Sequence, residues 1–424
     1  MNPDSQKVLL RDLGLSDAVG VGLGAIIGAG IFVVTGVAAG ISGPAFLIGL
    51  LIAGSIATCN ALSSAQLAAQ FPFSGGTYDY GNRLLNPLFG FSAGWMFLIS
   101  KLSAGSIVAI GFGSYFFQLT GLGSPILLAL CAIAFLTIAN LLGIKKAGKL
   151  NLIIVSFTIL TLLYLVISGI PEISSGNFRP FAPLGISGVA EATALLFFAF
   201  TGYARIATLA EEVKDPKVTI PKAIIITIVS AILLYGLVSV TAIGVIGYEA
   251  MAQSTSPLQL VADKLQTPFI QTIIALGACT AMLGVLLSQI LGISRMFFAM
   301  SRNNDFFPIF HSLSNKQKVP VIAILFTSII ITLLTYFGTF TFVLASAAFT
   351  ILLYYSITNI AALKQAKKDQ LYPNWVPVLG LAGCLAMALS LNSDVIFSGI
   401  VLLVTGFLFR WILHRILKSN TPQN

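Results

Sequence analysis

Long stretches of Ile, Leu, Val, Ala and Phe alternate along the chain with short polar breaks built from Lys, Arg, Asn, Gly and Pro. Twelve apolar runs stand out, at roughly 17–40, 44–70, 88–118, 123–143, 149–170, 187–213, 221–247, 268–300, 319–338, 340–363, 374–391 and 394–416. Each is close to the ~20 residues that an α-helix needs to cross ~30 Å of hydrocarbon. In lipid every backbone polar group must be bonded internally, which leaves helices or closed barrels, and barrel strands would be about half as long with polar and apolar residues alternating. The pattern therefore predicts an all-α membrane protein with twelve transmembrane helices.

The polar breaks give the direction. With the N-terminus inside, nineteen of the 23 basic residues fall on the cytoplasmic side, Arg179 and Lys264 fall outside, and Lys101 and Arg205 lie within spans. Such asymmetry in short loops is the positive-inside rule, and omitting one span would scramble it. Both termini are expected in the cytoplasm, with the chain as a multi-pass protein of the cytoplasmic membrane. The start, MNPDSQKVLLRDLGLSD, is longer and more charged than the n-region of a signal peptide, so the first apolar run is read as the first span.

Composition narrows the class further. Of 424 residues 57% are apolar and 9% charged, with a mean hydropathy of +0.96, whereas soluble chains carry about 25% charged residues. A soluble enzyme is excluded, and residues 1–424 read as a single transmembrane domain. The net charge of +9 does not point to nucleic acid, because the basic residues are dispersed over short loops. Cys59, Cys131, Cys279 and Cys384 sit singly in apolar stretches and read as small buried hydrophobes. His311 and His414 are too far apart in sequence to suggest a metal site, and the spans hold no Ser-His-Asp or paired-carboxylate arrangement. Neither an enzyme nor a cofactor is expected. The oligomeric state stays open, a monomer included.

Chemistry enters where helices should break. Span 1 carries Gly20, Gly22, Gly24, Gly28, Gly30, Gly36 and Gly40. Gly20, Gly24 and Gly28 form the small ridge that lets membrane helices approach closely. Gly22 and Gly30 lie off that ridge, and glycine in a helix interior costs about 1 kcal/mol relative to alanine, so a break is expected near Gly28-Ala29-Gly30. The match to G-x-G-x-x-A at Gly20, Gly22 and Ala25 lacks the strand a dinucleotide site requires. In span 6, Phe200-Thr201-Gly202-Tyr203 falls mid-membrane. If spans 1–5 (15–170) and 6–10 (187–364) are repeats of opposite topology, spans 1 and 6 are equivalent interrupted helices, a pattern that points to a transporter's midplane site. A helix restarting after Gly30 would present the N–H groups of Ala29, Gly30, Ile31 and Phe32 to an anion. Carbonyls around Phe198, Ala199 and Thr201 would take an ammonium. Both ends of an α-amino acid fit, with Ile27, Gly28 and Gly202 completing the substrate-binding set.

At these residues the sequence resembles the amino acid-polyamine-organocation transporters, especially their cationic-amino-acid-transporter-like branch. The matching stretches are GLGAIIGAGIF, FPFSGGTYDY, GIKKAGKLN, FFAFTGYARIATLAEEVKDP and SRMFFAMSRNNDFFP, spread over most of residues 15 to 370. The resemblance implies a leucine-transporter-type fold of two inverted five-helix repeats with two additional helices at 374–416, working by alternating access. It also implies a carboxylate-binding turn at Gly28, Ala29, Gly30 and Ile31, amine-binding carbonyls at Phe198, Ala199 and Thr201, and an aromatic screen at Phe200. One position departs from the pattern. Where proton-coupled relatives carry a lysine in span 5, this chain has Thr158, and Thr280 stands without the second hydroxyl of a sodium site. Coupling to protons or to sodium is left open.

Two charges lie inside spans. Lys101 is about thirteen residues into span 3, ~19 Å deep at 1.5 Å per residue, and an intramembrane lysine is a functional candidate by default. It reads either as a movable charge replacing the missing span-5 lysine or as a static cation bound between helices. Arg205 and Glu212 are seven residues apart and can share a helix face as a structural ion pair near the cytoplasmic vestibule. A cation on the path disfavours cationic substrates. The reading is a secondary transporter for a small neutral L-amino acid. The alternatives are a cationic amino acid or polyamine substrate, or amino acid exchange; a channel would need a symmetric ring of pore residues.

Overall fold

The computed structural model describes residues 13–71, 75–142, 148–208, 213–314 and 319–419. Its helices, in chain order, are α1 (Leu15–Ile26), α2 (Thr35–Ser42), α3 (Phe46–Gln70), α4 (Thr77–Leu84), α5 (Pro87–Thr120), α6 (Pro125–Leu141), α7 (Gly148–Gly169), α8 (Gly185–Phe197), α9 (Ala204–Thr208), α10 (Pro216–Ile246), α11 (Tyr248–Ala252), α12 (Pro257–Lys264), α13 (Ile270–Arg302), α14 (Val321–Phe337), α15 (Phe340–Leu363), α16 (Trp375–Leu389) and α17 (Ser393–Ser419). Among the described residues there is no strand, only an isolated bridge between Leu13 and Val213. Eight helical runs in this set are long and apolar enough to cross a membrane, the first continuing from Leu15 to Gln70, while α6, α14 and α16 are apolar but shorter. The protein is an all-helical, multi-pass membrane protein.

Local signals fix where helices start. Pro87 opens α5 at a position whose N–H needs no partner, and the Asn86 side chain accepts from the N–H groups of Leu88 and Phe89. Ser124 and Pro125 repeat the device for α6. Large apolar side chains such as Phe135, Ile167, Leu233 and Phe397 face outward, as the lipid solvent permits. Buried side chains concentrate in α5 and α15, which pack against each other, while α17 lies at the periphery.

A charged cluster ties that periphery to the bundle. Asp305, buried just beyond α13, accepts from Arg410 Nε of α17 at 2.7 Å and from the Tyr78 hydroxyl of α4 at 2.8 Å. His414 Nε2 lies 3.6 Å from the same carboxylate, and the Arg410 guanidinium sits 5.2 Å from the centroid of Phe91.

Spans 1 and 6 depart from regular helix in different ways. The chain leaves the helix at Ile27 (φ −76°, ψ 103°), turns through Gly28 and Ala29, and resumes as a π-helical turn over Gly30–Val34 that leads into α2. Span 6 is not unwound. It tightens into a 3₁₀ stretch over Phe198–Tyr203 between α8 and α9. The expectation of an unwound gap is corrected here: the backbone keeps 3₁₀ turns through the segment, while the Thr201 hydroxyl does reach a main-chain carbonyl, that of Phe198, at 2.9 Å. A 3₁₀ run of this length inside a helix is itself uncommon and marks strain or a hinge.

Candidate substrate site

The two irregular segments face each other at van der Waals distance. A Cβ on Gly30 would lie 2.7 Å from the Cβ of Ala199 and 2.8 Å from its Cα, and a Cβ on Gly202 would run into the Ala25 carbonyl. Only glycine allows this backbone-to-backbone approach. Beside the contact is a cavity of about 40 Å³ lined from span 1 by Gly28, Ala29 and Gly30, from span 6 by Phe198, Ala199, Thr201 and Gly202, from α5 by Lys101, and from α13 by Val285 and Gln289.

The restart of span 1 supplies donors. The Gly28 carbonyl accepts from Ile31 at 3.2 Å and Phe32 at 3.3 Å, so the new helix begins here, and of the four amides expected to meet an anion those of Ile31 and Phe32 are already bonded within it, leaving the turn at Ala29 and Gly30. On the opposite wall the Phe198 carbonyl takes the Thr201 hydroxyl, and the Thr201 carbonyl takes the Tyr355 hydroxyl at 3.4 Å. These side-chain donors come in addition to the i+3 backbone bonds of the 3₁₀ turn, so the Phe198 and Thr201 carbonyls expected to await an ammonium are already engaged.

Lys101 reaches this wall: its Nζ is 3.4 Å from Thr201 Oγ1 and 5.9 Å from the Phe97 ring centroid. Arg205, on α9, donates to the Ser288 carbonyl at 2.6 Å, one residue before Gln289. The pairing expected with Glu212 lies outside the described residues. Thr158 bonds the Ile154 carbonyl one turn back in α7, and Thr280 does the same with Leu276.

Ile27, Ile31 and Phe200 are buried but do not line the cavity. Phe200 packs on Tyr235 with ring centroids 5.6 Å apart and points toward α3 and α10, away from the cavity. The cause is the 3₁₀ period, in which residues three apart eclipse: Phe198 and Thr201 share the cavity face, and Phe200 is rotated away.

Comparison with known proteins decides the family. The model for the amino acid permease family matches residues 13–412. The chain belongs to that family. It is 36% identical over 407 residues to an uncharacterized transporter of Mycobacterium tuberculosis, covering 95% of this chain and 91% of the relative. A branched-chain amino acid permease of Bacillus subtilis is 31% identical over 448 residues, covering 97% and 94%. A methylthioribose transporter of the same organism is 32% identical over 333 residues, covering 74% and 72%.

Several residues that shape the permease's site carry no motif. Tyr235 of α10 donates to the Ile26 carbonyl at 2.8 Å, capping the end of α1, and Tyr115 of α5 donates to the Phe32 carbonyl at 2.7 Å. Gln289 lines the cavity with a buried Oε1 that has no hydrogen-bond partner. A hydroxyl or amide in mid-span is the signal that singles them out, since such groups are placed in lipid only where something uses them. Tyr235→Phe leaves the Ile26 carbonyl buried without its donor, which costs about 1–3 kcal/mol. The expected result is a lowered melting temperature of the detergent-solubilised permease; an unchanged melting curve would mean that the carbonyl is satisfied another way.

Proposed function

We propose that the permease moves a small neutral L-amino acid across the cytoplasmic membrane by alternating access. The observation that carries this reading is the apposition of the Gly28–Gly30 amide turn with the 3₁₀ stretch of span 6 around one small cavity. Amides at the start of a helix and its positive dipole end suit a carboxylate, so the carboxylate goes to Gly28, Ala29 and Gly30, flanked by Ile27 and Ile31. The amine goes to the wall of Phe198, Ala199, Thr201 and Gly202.

The architecture assigned with it is of the leucine-transporter type. Dividing Leu15–Gln70 at the turn before α3 turns the eight long runs into nine spans, and α6, α14 and α16 make twelve. Residues 15–170 and 187–364 form two inverted five-helix repeats, 374–416 adds two helices, and the loop charges put both termini in the cytoplasm. Lys101, with Thr158 in place of the span-5 lysine, is the coupling residue of this reading, while Arg205 is a fixed cation beside the path.

Size and charge set the substrate. A cavity of about 40 Å³ between the two segments favours a small ligand. Lys101 in its wall, with Arg205 close by, repels a second cation, which argues against the cationic amino acid or polyamine alternative. The branched-chain permease relative agrees with a neutral substrate. Counterflow of labelled alanine, serine, leucine and arginine into proteoliposomes, with and without sodium and across a pH step, tests the proposal. Alanine and serine are expected to move and arginine to stay out; arginine transport without transport of neutral amino acids would overturn it.

A further inference from the structure

The ammonium of Lys101 rests on the same threonine to which the functional reading assigns the substrate's amine. Its Nζ is 3.4 Å from Thr201 Oγ1, and that hydroxyl in turn donates a hydrogen bond to the Phe198 carbonyl, so Lys101, Thr201 and Phe198 form one donor chain. An arriving α-ammonium seeks the carbonyls beside that hydroxyl and meets the like charge of Lys101 at the same wall. The cavity also offers the lysine somewhere to go, because the buried Gln289 Oε1 lines the same space and has no partner. A donor-only ammonium and an unclaimed amide oxygen are complementary.

Resting on the assignment of the amine to span 6, we infer that Lys101 is a tethered competitor of the substrate's amine: it occupies the amine subsite when the site is empty, and substrate binding displaces it toward Gln289 or strips its proton. The substrate class follows as primary α-amines, whose own ammonium replaces the one that leaves. The coupling sign follows too. If loading expels a proton from Lys101, the empty carrier travels protonated and the loaded one does not, which makes substrate and proton move in opposite directions.

The surroundings favour this exchange. Lys101 is the titratable side chain among the cavity's described lining residues. Around it stand the guanidinium of Arg205, held on α13, with Arg295 of α13 beyond it, and the phenols of Tyr203, Tyr354 and Tyr355. The neighbouring cations work against a second charge at Thr201 and so toward expulsion.

The test is binding of L-alanine and of its desamino analogue propionate to the purified full-length protein, wild type against Lys101→Met and Lys101→Gln, each first shown to be monodisperse. Two like charges a few ångströms apart change binding by about tenfold or more at protein dielectric. Both variants are therefore expected to bind alanine at least about tenfold more tightly but propionate more weakly, since propionate has no amine to be repelled. Wild-type affinity for alanine should rise from neutral to alkaline pH more steeply than that of Lys101→Met, whose slope reports the ligand alone. Gln289→Leu should weaken alanine binding by a larger factor in wild type than in Lys101→Met. Alanine binding no tighter in either Lys101 variant, or equal pH slopes, overturns the inference. If wild type binds no α-amino acid at all, the functional reading falls with it, a separate result.

Discussion

Gly202→Ala is expected to cut amino acid uptake by a factor of about ten or more while the protein still reaches the membrane, because the new methyl group adds the 1–3 kcal/mol of an overpacked contact at the closest approach in the site. At that position a Cβ would overlap the carbonyl of Ala25 and lie 2.6 Å from the amide of Ile26. Both are backbone atoms, and neither can rotate aside as a side chain would. The 3₁₀ stretch must then draw back from α1, taking Thr201 and its side of the cavity with it. Gly236→Ala is the matched control: it is also a glycine in a membrane-spanning helix, but its Cβ would meet nothing within 4 Å, and alanine is the better helix former by about 1 kcal/mol. Uptake by proteoliposomes, normalised to protein, reads both. Wild-type uptake in Gly202→Ala would show that the approach of the two segments is not what builds the site.

Asp305→Ala should produce the largest loss of stability of any single change considered. Removing one partner of a buried pair leaves the other uncompensated, at about 3–5 kcal/mol. Arg410, with 12% of its side chain exposed, would then face apolar surroundings without its carboxylate, and the Tyr78 hydroxyl would lose its acceptor as well. Because Asp305 joins α4, the end of α13 and the peripheral α17, the effect should spread beyond one helix. Thermal unfolding in detergent measures it. The double variant Asp305→Leu with Arg410→Met should recover most of the loss, since a buried ion pair exchanged for apolar residues of similar volume is close to neutral. An Asp305→Ala protein that melts with wild type would mean that the carboxylate is not the tie between these elements.

The sequence was most legible where the solvent dictates structure. Hydropathy placed a span at 340–363, and α15 runs Phe340–Leu363; it placed another at 44–70, and α3 runs Phe46–Gln70. The departure from helix near Gly28 was also readable, because glycines beyond those needed for packing weaken one stretch of one helix. The short helices α4, α11 and α12 were not readable. They lie between spans, where no run of apolar residues announces a helix.

In span 6 local reading failed in an instructive way. Phe200-Thr201-Gly202 looked like a gap to be opened, yet the backbone keeps 3₁₀ turns through it, and Gly202 serves contact with α1 rather than unwinding. The sequence did not show which aromatic faces the cavity: the 3₁₀ period turns Phe200 toward Tyr235 and gives the cavity face to Phe198.

By itself, the amino-acid order determined that this chain is helical and lies in a membrane, where its helices run and where the first of them gives way, since each of these follows from the cost of placing a polar or flexible group in hydrocarbon, a cost paid residue by residue. Which groups meet was decided only by the tertiary structure. Lys101 and Thr201 are a hundred positions apart, and Gln289 is further still. Such encounters depend on how α5, α13 and the two irregular segments pack, and packing is a property of surfaces brought together from distant parts of the chain, on which periodicity within one helix carries no information.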